Sequence, residues 1–166
     1  MKYIFLLVKK MSRRNLYKLF KNSLHQLKSK KTLRILNIGS GGPIQGIIES
    51  SFSEKITNID IDSFRNPDFV MDVTKLEFKN NSFDLVVMME VLEHVKEPHI
   101  AISEIYRVLA HNGKLILSTP FILGIHDEPH DFYRFTKYGL EYLLNDFNIE
   151  IEETNDFIHT FLVFLN

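Results

Sequence analysis

Leu33 to Ile38 is a short, nearly continuous apolar run, and it stops abruptly at Gly39-Ser40-Gly41-Gly42-Pro43. Such a run suits a strand buried on both faces. Glycines directly behind it permit positive φ and leave the backbone open to close approach. Strand-like stretches recur at Lys55–Ile61, Phe69–Met71, Phe83–Met88, Lys114–Ser118 and Phe147–Glu152. Segments with helical spacing lie between them. Ile44–Phe52 fits one helix, and Pro98–Leu109 places Ile102, Ile105, Val108 and Leu109 on one face of another. Thr136 is positioned to cap a helix that ends near Leu144. Ahead of the first strand, residues 12–30 set Leu16, Phe20, Leu24 and Leu27 along one helical stripe. Strands alternating with helices predict a mostly parallel sheet, covered on both faces and joined by right-handed crossovers.

Composition narrows the class. The chain has 166 residues, 45% apolar and 25% charged, which suits a single domain of ordinary globular type. A net charge of -1 gives no global basic field for nucleic acid. The basic residues near the start (Lys9, Lys10, Arg13, Arg14, Lys18, Lys21, Lys28, Lys30 and Lys31) read as a solvated helix face. With no cysteine there is no disulfide, no thiolate metal site and no thiol nucleophile. That fits a reducing, cytoplasmic setting. The apolar opening, Tyr3 to Val8, runs straight into Lys9-Lys10. It is shorter than the roughly 7–15 apolar residues of a secretory signal, so none is expected. No stretch approaches the ~20 apolar residues of a membrane span.

Ligands of open α/β sheets sit beyond the carboxyl ends of the strands. After the first strand comes the glycine turn, and after the second comes Asp60, 21 positions beyond Gly39. A carboxylate at that spacing accepts hydrogen bonds from ribose hydroxyls. A dinucleotide fingerprint needs a third glycine where Ile44 stands, and no Gly-Lys-Ser/Thr of a P-loop is present. A ligand with ribose and adenine but no phosphate chain fits best.

Five segments, "LRILNIGSGGP", "ITNIDID", "FVMDVTKLEFKNNSFDLVVMMEVLEHV", "AISEIYRVLAHNGKLILSTPF" and "HDEPHDFYRFT", follow in order. In this the chain resembles the class I S-adenosylmethionine-dependent methyltransferases, specifically the small-molecule type with a Leu-Glu-His-Val segment after strand four. The resemblance covers roughly Leu33 to Leu144. It implies a Rossmann-like, doubly wound α/β fold of six or seven strands, flanked by helices. Residues 1–31 would be a helical extension and 32–166 the methyltransferase domain. It also implies S-adenosylmethionine as cofactor. Gly39, Ser40 and Gly41 would meet its methionine part and ribose, with Asn37 just before them. Asp60 would hold the ribose hydroxyls and Ile61 would pack on adenine. Asp72 and Val73 would meet the adenine edge. Glu90 and Val91 would face the sulfonium and the acceptor, and His94 would shape the loop after strand four.

Thr119–Phe135 is the longest aperiodic segment, and its core His126-Asp127-Glu128-Pro129-His130-Asp131-Phe132-Tyr133-Arg134 is dense in polar groups. In resembling proteins this loop borders the acceptor pocket. His126, Asp131, Tyr133 and Arg134, with His94 from the strand-four loop, are therefore candidate acceptor-binding residues, with Arg134 either gripping an anionic acceptor or pairing Asp131. His126 and His130 are candidate bases for an acceptor that must lose a proton. A metal is not expected: zinc pairs four apart want a helix, Pro129 interrupts one, and sequence offers no third ligand.

Three departures from the family pattern stand out, one of them that Pro43 and Ile44 replace the common later glycine. Asn37 occupies a position that usually holds Asp or Glu. The expected seventh strand has only Phe157–Leu165 to form it, after a connection of a few residues. Either that segment closes the sheet as a hairpin, or the domain is cut short and an exposed edge invites a homodimer. The expected acceptor is a small molecule, a lipid-linked compound or a glycan. Nucleic acid is disfavoured, because Met89-Glu90-Val91-Leu92 stands where an Asn/Asp-Pro-Pro-aromatic motif would be. The alternative reading is an inactive methyltransferase-fold scaffold that still binds the cofactor.

Overall fold

The computed structural model describes residues 2–27, 32–150 and 159–165. The elements follow as α1 (Lys2–Leu27), β1 (Ile35–Ile38), α2 (Gly42–Ser51), β2 (Ile56–Asp60), β3 (Phe69–Val70), β4 (Phe83–Met89), α3 (Pro98–Val108), β5 (Leu109–Pro120), α4 (Lys137–Leu143), β6 (Asn148–Glu150) and β7 (His159–Leu165). One sheet runs β3-β2-β1-β4-β5-β7-β6. The first five strands are parallel to their neighbours, and β7 is antiparallel to both β5 and β6. The order reverses beside β1, which sets a crevice between the carboxyl ends of β1 and β4.

The two-residue period of the strands divides the core in two. Leu36, Ile38, Val86, Met88, Leu115 and Leu117 face α3 and α4, meeting Ala101, Ile102, Ile105, Val108, Leu140 and Leu144. Ile35, Leu85, Val87, Met89 and Ile116 face the other way, meeting Leu16, Phe20 and Leu24 of α1 and Ile47 and Ile48 of α2. The helix expected as an extension therefore packs directly on the sheet. Thr136 caps α4 as its position suggests, its hydroxyl accepting from Gly139 N at 3.1 Å.

Two elements differ from the sequence reading. α1 begins earlier, taking in the apolar opening; the end of the expected helix, 28–30, lies outside the described residues. β5 starts at Leu109 rather than Lys114, because Phe83 pairs with Leu109 and Leu85 with Lys114. His111-Asn112-Gly113 is thus a bulge within one strand. Of the two outcomes expected for the end of the sheet, the strand forms: β7 inserts between β5 and β6, so β5 is paired on both sides. The uncovered edge on which a homodimer was expected is absent there. The outer strands, β3 and β6, have two and three residues. The expected connection at 153–156 lies outside the described residues. Among the described residues, no helix is long and apolar enough to cross a membrane.

Candidate active site

The glycine turn opens at the end of β1 with φ of 94° at Gly39, 86° at Gly41 and 67° at Gly42. Side chains other than glycine rarely adopt these values. A Cβ on Gly39 would lie 2.5 Å from Val91 Cγ2, so the turn and the end of β4 pack without space between them. A Cβ on Gly42 would meet nothing within 4 Å. The turn therefore closes on the protein at its first glycine and opens outward at its last.

Asp60 ends β2 and ties it to this turn. Its Oδ2 accepts from Ser40 N at 2.8 Å, and its Oδ1 accepts from Asp62 N at 2.9 Å. Arg65 Nε stands 3.9 Å from Oδ2. Each carboxylate oxygen has two lone pairs, so both retain acceptor capacity for a pair of hydroxyls. Beside it Ile61 is 71% exposed, an apolar surface that a flat ring could cover. Ser40 Oγ is buried without a hydrogen-bond partner.

Other expected cofactor residues divide. Asn37 is fully buried and donates from Nδ2 to Asn58 Oδ1 at 2.9 Å, while its Oδ1 has no partner. Its amide thus stitches β1 to β2 beneath the turn. Asp72 is exposed and turns the chain, accepting from both Thr74 N and Thr74 Oγ1 at 2.8 Å. Val73 is a core side chain. Glu90 follows β4 with φ 56°, and its Oε1 accepts from Ser118 Oγ at 2.7 Å. That contact fixes a carboxylate where β4 and β5 end side by side.

The polar loop folds back over the 3-10 turn Leu92–His94. Glu93 carbonyl accepts from Phe132 N at 2.9 Å and Tyr133 N at 3.2 Å, and Tyr133 OH donates to Lys96 O at 2.8 Å. Arg134 grips Asp131 with two bonds of 2.6 Å. Its remaining donors go to the carbonyls of Leu123, Tyr133 and Gly124. All five guanidinium N–H groups are then used within the loop. Of the two roles expected for Arg134, the pairing with Asp131 is made here and clamps the loop. The guanidinium holds the Asp131 carboxyl far below the usual carboxylate range, with His126 helping. Tyr133 likewise spends its hydroxyl on the backbone.

Sequence reasoning missed Glu93. Its side chain is fully buried and neither carboxylate oxygen has a hydrogen-bond partner. His94 Nε2 and His126 Nε2 each stand 3.7 Å from its Oε1. Burial pushes the Glu93 carboxyl up, against the pull of His126. The nearby Glu93 carboxylate in turn raises His126, with Asp131 adding and burial opposing. Only the residue's place between an apolar Leu92 and His94 in sequence hinted at it, and that signal is weak. His130, paired with His126 in the sequence reading, is instead exposed. It offers its carbonyl to His94 Nδ1 at 2.7 Å, while its ring sits against Phe132.

Residues 36–117 match the family described as a methyltransferase domain. An uncharacterized protein of Methanocaldococcus jannaschii is 30% identical over 99 residues, covering 57% of this chain and 44% of that one. The chain spans less than half the length of the curated relatives it matches. Among solved structures, an Aquifex aeolicus SAM-dependent methyltransferase superposes with a TM-score of 0.69 at 14% identity, over 95% of this chain and 96% of that one. The Burkholderia thailandensis 1,6-didemethyltoxoflavin-N1-methyltransferase, solved with S-adenosylhomocysteine and 1,6-didemethyltoxoflavin bound, gives 0.69 at 15% identity, over 99% and 89%. At such identities these two likenesses speak for the fold. With its sheet order, its glycine turn tied to Asp60 and the matched segment 36–117, the chain matches the methyltransferase-domain family and has the fold of the S-adenosylmethionine-dependent methyltransferases.

Proposed function

We propose that the protein transfers the methyl group of S-adenosylmethionine to a small-molecule, lipid-linked or glycan acceptor. The observation that carries this is the bond from Ser40 N to Asp60 Oδ2, which sets an open glycine turn against a carboxylate with spare acceptor capacity beside exposed Ile61. Gly39, Ser40 and Gly41 would hold the methionine part and ribose, and Asp60 the ribose hydroxyls. Ile61 would cover adenine and Asp72 would accept from its exocyclic amine. Val73 would shape that edge from the core, as Asn37 would support the turn from beneath.

The cofactor supplies an electrophilic methyl whose leaving group is a neutral thioether, so no acid is needed. The protein's task is alignment, which is worth up to about 7–11 kcal/mol of barrier. Glu90, held by Ser118, would place negative charge toward the sulfonium. Val91 would pack behind the turn. The loop clamped by Asp131, Tyr133 and Arg134 would wall the acceptor side. An acceptor that must lose a proton would meet the cluster containing His94 and His126, rather than His130, whose ring turns to Phe132.

Asn37 favours a second reading, a cofactor-binding scaffold. Its buried amide stands where a carboxylate would attract the cofactor's ammonium. Incubation with S-adenosylmethionine and separate pools of small molecules, lipid-linked sugars, glycans and nucleic acids distinguishes the two, with S-adenosylhomocysteine release read by mass spectrometry. Release with one of the first three pools is expected. Release with nucleic acid alone would contradict the acceptor class, and binding without release from any pool would favour the scaffold.

A further inference from the structure

Glu93, His94 and His126 bring three ligand-type atoms within 4.8 Å of one another. We propose that they form a binding site for one divalent transition-metal ion of the zinc class. Glu93 is the first reason: it is fully buried, and both its carboxylate oxygens lack a hydrogen-bond partner. A buried charge left in that condition is costly unless a cation meets it.

The histidines supply the second reason. His94 Nδ1 lies 2.7 Å from His130 O, and His126 Nδ1 lies 3.3 Å from Gly124 O. A carbonyl only accepts, so both rings carry their proton on Nδ1. In the neutral form their Nε2 lone pairs then point at the Glu93 carboxylate. With Glu93 ionised and both rings neutral, three acceptors converge on one point. The Nε2–Oε1 separations are both 3.7 Å. That is longer than the roughly 2.7–3.2 Å a shared proton requires. It lies close to the ~3.4 Å between two ligands that each sit about 2.1 Å from a tetrahedral ion.

Surrounding groups fit the same reading. Metal-binding histidines commonly donate their second N–H to a carbonyl or carboxylate, as both do here, and Asp131 Oδ2 lies 3.2 Å from His126 Nδ1. Asp127 Oδ2 stands 3.9 Å from His94 Nε2 and adds negative charge beside the cluster. Glu93, Asp127 and Asp131 against the single guanidinium of Arg134 leave a charge that a divalent ion balances. The sequence argument against a metal paired His126 with His130; the fold pairs it with His94 and adds Glu93. Three protein ligands leave a coordination position open, from which the ion would polarise an acceptor oxygen or nitrogen. That last role rests on the methyl-transfer reading, whereas ion binding does not.

The test uses the full chain, without an affinity tag and freed of metal by chelation. Cobalt(II) is titrated with its visible absorption as readout, and zinc by calorimetry. One equivalent of each is expected to bind. Glu93→Gln, nearly isosteric, and His126→Ala, on the loop, should each weaken binding at least a hundredfold. His111→Ala, in the exposed bulge of β5, should leave it unchanged. Circular dichroism checks folding of every variant. Wild-type protein that is folded yet binds neither ion would overturn the site, as would affinity unchanged in both ligand variants. Cobalt binding alongside a failed S-adenosylhomocysteine titration would uphold the metal site while sinking the methyl-transfer reading.

Discussion

At the scale of single residues, the glycine turn makes the sharpest demands. Gly39 combines φ of 94° with a Cβ position 2.5 Å from Val91 Cγ2. Gly42 combines φ of 67° with open space. Gly39→Ala should therefore cost about 1–3 kcal/mol from strain and overpacking together. Gly42→Ala should cost about 1 kcal/mol from the backbone alone. Urea unfolding of the two variants measures the difference, and equal losses would mean that the Val91 contact is not limiting. These glycines and Asp60 were legible because spacing along the chain encodes them. Glu93 was not, because its importance comes from burial, which only the folded loop creates. Arg134 was half legible: the short separation from Asp131 allowed the pair, but the three carbonyls that use its remaining donors come from the folded loop.

Elements were read best where periodicity is long. α3 shows this, with Ile102, Ile105 and Val108 all buried as their spacing requires, while Leu109, read as its last inward residue, is buried as the first residue of β5. β5 was read short, since its bulge puts Asn112 at φ 62° and looks in sequence like a turn that precedes a strand. α3 also anchors the segment before β4. Glu104 and Arg107 pair at 2.7 Å, Glu104 accepts from Leu76 N, and Arg107 donates to the carbonyls of Leu76 and Phe78. Arg107 holds the Glu104 carboxyl below its ordinary value, with the bond from Leu76 adding. A carboxyl lowered on folding contributes stability above its unfolded pKa and loses it as pH falls through the folded one. The stability gap between wild type and Glu104→Gln should therefore be largest near neutral pH and close under acid conditions. Denaturant midpoints across that range test this, and a gap that widens with acid would contradict the assignment.

For the whole molecule, two core layers sandwich the sheet, and α1 belongs to one of them. Phe20 is fully buried there, whereas Phe64 is 97% exposed beside β2. Phe20→Ala should destabilise the protein by about 3–5 kcal/mol. Phe64→Ala should stay within about 0.5 kcal/mol of wild type. Thermal unfolding of the pair shows whether α1 is a structural layer, which equal melting temperatures would rule out. The parallel α/β architecture was legible from alternating runs, but the insertion of β7 between β5 and β6 was not, since no local pattern specifies pairing order. That architecture places the glycine turn, Asp60 and Ile61 at one rim, and the account stands on their binding S-adenosylmethionine. Calorimetric titration of S-adenosylhomocysteine into wild type and Asp60→Ala tests this most directly. Saturable micromolar binding, weakened at least tenfold (about 1.4 kcal/mol) by the substitution, is the expected result. No binding by the folded wild-type protein would contradict it.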